Sequence, residues 1–193
     1  AVSQLFTERP WKKPMIEIAT RLDRCNIFAK PGMGKTSAAL MALEIRSMVD
    51  DAYPVLAIGP KRVANSVWSS EVEKWAQFNH LRVARILGTQ AERVAALNSK
   101  ADIYTIHYGL LKWLVETLDG KWPFRTVIAD ESSRLKNTRA HFKRLKSGKL
   151  KLYVQGGSIN AGYLARNALR TRFWTNLTGT PASMGLQNLY GQQ

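Results

Sequence analysis

Residues 29–36 read AKPGMGKT, between the apolar run NIF and the stretch SAALMALEI. A strand, a glycine-bearing loop and a helix in that order are what a phosphate-binding loop needs. Ala29, Lys30, Pro31, Gly32, Met33, Gly34, Lys35 and Thr36 would form it. Gly32 and Gly34 permit backbone conformations that a side chain would block, so successive amides can turn toward an anion. The helix beginning near Lys35 adds its positive end. Lys35 would then reach the β- and γ-phosphates of ATP, and the Thr36 hydroxyl would ligate Mg2+. Further along, the apolar run 126–129 ends in Asp130 and Glu131. Two carboxylates at the C-terminal tip of a parallel strand lie where α/β sheets place their ligands. Asp130 can hold magnesium, and Glu131 can orient or deprotonate the water that attacks the γ-phosphate.

Positioning these groups requires strands and helices in alternation. Short apolar runs at 26–29, 55–58, 83–87, 103–106, 126–129 and 173–177 predict strands. Helical stretches at 36–48, 67–78, 90–97 and 109–118 follow the first four of them. The pattern predicts an α/β fold, a mostly parallel sheet flanked by helices. Behind Ser66, read as an N-cap, Trp68, Val72 and Trp75 recur at helical spacing and are assigned to the core.

Twenty-nine Lys and Arg stand against 14 Asp and Glu among 193 residues, a formal net charge of +15. That excess favours a polyanionic partner such as nucleic acid. Much of it falls between Ser133 and Arg172, whose centre, KSGKLKLYVQGGS, predicts a small hairpin or extended insertion at about residues 138–160. The length suits one domain. A single cysteine, Cys25, and no run of about 18 apolar residues predict an intracellular protein without a membrane span. His80, His107 and His141 show no metal-ligand spacing.

Taken in order, five segments resemble superfamily-two helicases and translocases, most closely the Swi/Snf-like DNA-dependent ATPases. They are AKPGMGKT, VLAIGPKRVANSVWSSEVEKW, IYTIHYGLL, VIADESSRLKN and LTGTP, spanning about residues 10–190. DESS, in place of a DEAD, DEAH or DEGH box, is similar to bacteriophage or prokaryotic members. The resemblance implies a RecA-like P-loop lobe that binds ATP and Mg2+. It gives Lys35 and Thr36 to phosphate and magnesium, Asp130 to magnesium and Glu131 to the catalytic water. By the same resemblance Thr178, Gly179 and Thr180 would couple nucleotide state to domain movement. Pro60, Lys61, Arg62, His107 and Tyr108 would touch the nucleic-acid backbone.

Relatives carry a glutamine that reads the adenine edge. The segment RPWKKPMIEIA offers none, which leaves Trp11 or Arg9 either to stack on the base or simply to pack. The expected protein is the first lobe of a DNA-dependent ATPase, with duplex DNA favoured as partner. Residues for a second RecA-like lobe are absent through Gln193, so that lobe is expected in cis or in trans. A non-catalytic basic module that holds nucleic acid, or an RNA helicase lobe, are the alternatives.

Overall fold

Val55–Gly59, Thr126–Asp130 and Phe173–Thr178 are buried at every position, as strands covered on both faces by helices must be. They are the centre of the fold. The computed structural model describes residues 3–135, 139–144, 150–155 and 159–179. In chain order the elements are α1 (Lys13–Arg21), β1 (Arg24–Phe28), α2 (Lys35–Ser47), β2 (Val55–Gly59) and a π-helical turn (Val63–Val67) that runs into α3 (Trp68–Lys74). Then come β3 (Val83–Arg85), α4 (Gln90–Leu97), β4 (Ile103–His107), α5 (Leu111–Leu118) and β5 (Thr126–Asp130). Last are β6 (Arg139–Arg144), β7 (Leu150–Gln155), α6 (Ile159–Ala168) and β8 (Phe173–Thr178).

Six strands form one sheet in the order β1-β8-β5-β2-β4-β3, and every neighbouring pair is parallel. Side chains alternate between its faces. Val55, Ala57, Ile128, Phe173 and Leu177 join the buried faces of α1, α2 and α3 in one core layer. Leu56, Ile58, Val127, Ala129 and Trp174 join Leu111, Leu114 and Leu164 in the other. The expected α/β architecture is the one observed.

Local chemistry sets the element ends. Pro14, near the start of α1, suits a helix whose first amides have no partner in any case. Arg46 of α2 ties α1 to the sheet within the first layer. Its guanidinium donates to the carbonyls of Ala19 and Leu22 and lies 3.9 Å from the Phe173 ring centroid. Thr89 and Glu92 close a capping box at the start of α4.

Three expectations need correction. Ser66 is not an N-cap: it lies inside the π-helical turn, and its hydroxyl donates to the carbonyl of Arg62 four residues earlier. The helix starts sooner because the amide of Ala64 already bonds the Pro60 carbonyl. The run 67–78 is not one helix either, since Trp75 is extended and a 3-10 turn, Ala76–Phe78, follows. Two helices, α1 and α6, were not among those expected. The expected hairpin is present as β6 and β7, antiparallel, with Arg139 opposite Gln155 and Arg144 opposite Leu150.

Candidate nucleotide-binding site

Three strand tips lie side by side at the C-terminal edge of the sheet. Phe28 of β1 is in register with Thr178 of β8, and Leu177 of β8 with Asp130 of β5. Segments far apart in sequence therefore leave the sheet within one residue of a common level. The glycine-bearing loop 29–34 follows β1, Gly179 follows β8, and Glu131 follows β5.

Both loop glycines adopt positive φ, Gly32 at +82° and Gly34 at +74°, where a Cβ would be strained. Gly34 is also the residue on which α2 begins, and no side chain caps the helix there. Its first amides are thus available to an anion. A Cβ on Gly34 would come within 2.5 Å of Lys12 Cε, whereas one on Gly32 would meet nothing within 4 Å. At Gly34 the close neighbours are the far end of Lys12 and the Ser37 hydroxyl, and at Gly32 there is open space, so the positive φ is the constraint the two share.

Lys35 folds back over this loop. Its ammonium donates to the carbonyls of Ala29 at 2.7 Å and Lys30 at 3.2 Å. These oxygens hold the cation where phosphate oxygens could compete for it. Thr36 is buried at the first turn of α2. Across the edge, Asp130 is buried, and that burial raises its pKa above the ordinary carboxylate value. The Glu131 amide and the Lys35 ammonium act in the opposite direction. A desolvated carboxylate close to a cation is suited to meeting further positive charge.

Glu131 is exposed and has φ of +53°, a left-handed conformation that costs a residue with a Cβ about 1–2 kcal/mol. Its amide donates to Asp130 Oδ1 at 2.9 Å. Gly179 sits against the loop, since a Cβ there would lie 3.0 Å from Pro31 Cδ. The Ala29 amide bonds the Thr178 carbonyl at 3.1 Å. Thr178 is buried, and Thr180 lies outside the described residues.

The segments that resemblance gives to nucleic acid lie along the same edge. Gly59, just before Pro60, Lys61 and Arg62, is in register with His107 at the end of β4. Burial, then the charges of Lys61 and Arg93, hold the His107 pKa below 6.5. His107 Nδ1 accepts the Gly109 amide at 3.1 Å. Tyr108 occupies a different place from its neighbour. It is 4% exposed within the core, and its hydroxyl donates to the Asp130 carbonyl at 2.7 Å.

Sequence reading missed Lys12. It is 8% exposed, donates to Ser37 Oγ at 2.8 Å, and has the Phe6 and Trp75 rings at 4.8 Å and 5.6 Å from its ammonium. Beside Lys13, it carries no sign in the sequence that it is buried. Trp11, by contrast, is 44% exposed, with the Arg9 guanidinium over its ring at 5.3 Å.

The six-stranded parallel sheet with helices on both faces has the fold of RecA-like helicase domains. The chain belongs to the SNF2-related domain family, which it matches over residues 15–152. It is 40% identical over 190 residues to protein p41 of Acyrthosiphon pisum secondary endosymbiont phage 1, covering 97% of this chain and 38% of that protein. In fold it resembles the UvsW helicase of bacteriophage T4, with a TM-score of 0.67 at 11% identity, over 99% of this chain and 61% of that one. The Hef helicase domain of Pyrococcus furiosus gives 0.64 at 18% identity, over 95% and 35%. The Type ISP restriction-modification enzyme LlaGI, solved with a DNA substrate mimic, gives 0.55 at 14%, over 91% and 18%. The chain thus spans well under half of its phage relative and about three-fifths of UvsW. Among the described residues no helix is long and apolar enough to cross a membrane.

Proposed function

We propose that this lobe binds ATP with magnesium and hydrolyses it in response to nucleic acid, as the first lobe of a helicase or translocase. The observation that carries this reading is that the ends of β1, β8 and β5, at Phe28, Thr178 and Asp130, lie within one residue of a common level on neighbouring strands. It brings the loop after β1 and the Asp130–Glu131 pair to one edge, which supports the reading.

The uncapped start of α2 and the Gly32–Gly34 backbone would hold the phosphates. Lys35 would exchange the carbonyls of Ala29 and Lys30 for β- and γ-phosphate oxygens. Thr36 and Asp130 would hold magnesium, which needs only one or two protein oxygens when phosphates supply others. Magnesium bound with the nucleotide neutralises charge on the β- and γ-phosphates. Glu131 would accept the proton of the attacking water. Thr178 and Gly179, packed beside the loop, would report its occupancy, with Thr180 beyond them.

Pro60, Lys61, Arg62 and His107 would meet the nucleic-acid backbone. Duplex DNA is the favoured partner, a reading supported by the fold's likeness to LlaGI, which was solved with a DNA substrate mimic. The hairpin at about residues 138–160 would be a basic insertion in the lobe. A second RecA-like lobe, in cis or trans, would close the cleft and supply an arginine finger, a contribution of about a thousandfold or more in rate.

The test is hydrolysis of ATP, with and without duplex DNA, by the full protein and its Glu131→Gln variant. The amide keeps the shape of the side chain but cannot take the proton. Hydrolysis should fall at least about a hundredfold while ATP affinity is retained. Hydrolysis at the parent rate would rule out Glu131 as the base.

A further inference from the structure

The Asp130 carbonyl and the Glu131 amide belong to one planar peptide unit, and that unit is held at both ends. Its oxygen accepts the Tyr108 hydroxyl at 2.7 Å, and its N–H donates to Asp130 Oδ1 at 2.9 Å. The orientation of this plane, together with the direction of the Glu131 Cα–C bond, defines φ of Glu131, which is +53°. A left-handed residue with a Cβ persists only where its surroundings over-determine it, and the two hydrogen bonds are surroundings of that kind.

The reach of Tyr108 is long-range. β4 and β5 are not neighbours, since β2 runs between them. Tyr108 follows the last residue of β4 and spans the end of β2, where Gly59 lies close to Asp130: a Cβ there would be 3.6 Å from the Asp130 Cβ. Immediately before Tyr108 is His107, flanked electrostatically by Lys61 and Arg93. Immediately after it is Gly109, whose amide is held by His107 Nδ1. One short turn therefore joins a basic surface to the backbone of the acidic pair.

We propose that Tyr108 is a positioning residue that sets the pose of the Glu131 carboxylate through the Asp130–Glu131 peptide. Displacement of the 107–109 turn by nucleic acid would be passed through the phenol hydroxyl to the group that acts on water. The proposal rests on the functional reading above. Tyr108 itself touches neither nucleotide nor nucleic acid in this scheme.

Tyr108→Phe deletes one buried hydroxyl and leaves the ring in the core. The full protein, Tyr108→Phe, Glu131→Gln and the double variant are compared in single-turnover hydrolysis with saturating duplex DNA. ATP affinity, DNA affinity and melting temperature are measured alongside. The DNA-stimulated rate of Tyr108→Phe should fall about three- to tenfold, the worth of one hydrogen bond. Both affinities should stay within about twofold, and the double variant should be no slower than Glu131→Gln alone. A purely structural role would instead lower melting temperature and affinities together, or slow the double variant by the same factor as the single one; either result overturns the proposal. So does a Tyr108→Phe rate within about twofold of the parent when Glu131→Gln is slow. A fast Glu131→Gln protein would mean that the functional reading has failed first.

Discussion

Lys12 donates to the Ser37 hydroxyl at 2.8 Å, and Ser37 in turn donates to the Gly34 carbonyl at 3.0 Å. A buried ammonium ahead of α1 is thereby tied to the first turn of α2. On its other side it faces Phe6 and Trp75. Those rings are fixed in turn, because Phe6 bonds the Gln77 side chain and Trp75 Nε1 donates to Glu71 at 2.7 Å.

Replacing Lys12 with Met keeps length and apolar contact but removes the cation. Burial holds the Lys12 pKa below 10.5. The unfolded chain therefore binds that proton more tightly, and wild-type stability rises as pH climbs through the lowered value toward 10.5. Lys12→Met should lack this rise, so the melting difference between the two proteins should shift in favour of wild type across that window. Ser37 keeps its bond to Gly34, and nucleotide-free melting near pH 7 should change by only about 4 °C or less. ATP affinity should fall about tenfold, as the loop loses a charged hydrogen bond behind Gly34. Calorimetry and thermal denaturation against pH check both.

Lys35→Ala removes the cation held over the loop by Ala29 and Lys30. Charge-assisted hydrogen bonds to phosphate are the strong ones, and affinity for ATP should fall by about tenfold or more. Unaltered affinity by calorimetry would sink the phosphate-loop assignment.

His107, with its pKa held below 6.5 by burial, Lys61 and Arg93, contributes stability that is complete above 6.5 and is lost as pH falls through the lowered value. A DNA phosphate beside it would raise that pKa. Binding would then take up protons, and affinity should strengthen as pH is lowered through the range between the bound and free values. Anisotropy titrations between about pH 8 and pH 5.5, bracketing the histidine range, should show this trend in the parent and not in His107→Gln. A flat parent profile would remove His107 from the interface.

The register sets Lys143 directly opposite Lys151 across the β6–β7 hairpin. If Lys143, Arg144 and Lys151 each neutralise a DNA phosphate, making all three neutral should flatten the logarithmic salt dependence of binding by up to about 3, at about 0.9 per phosphate. An unchanged slope and affinity, with ATP binding intact, would mean that the hairpin is only a solvated basic surface.

Much of this lobe was legible from local chemistry. The loop at 29–36 and the acidic pair at 130–131 stood out as candidates because phosphate binding and water activation demand residue types at fixed, short spacing beside a strand. The central strands were legible because doubly covered strands must be continuous apolar runs. Strand order was not, since hydrophobicity does not say which buried strand lies beside which. Only the tertiary structure inserts β8 between β1 and β5, bringing Gly179 against Pro31. The same limit hid the roles of Lys12 and Tyr108. A lysine beside another lysine looks solvated, and a tyrosine beside a histidine looks like part of one surface pair. Burial of one and the reach of the other across β2 depend on partners 25 and 22 residues away, and such contacts leave no local period to read.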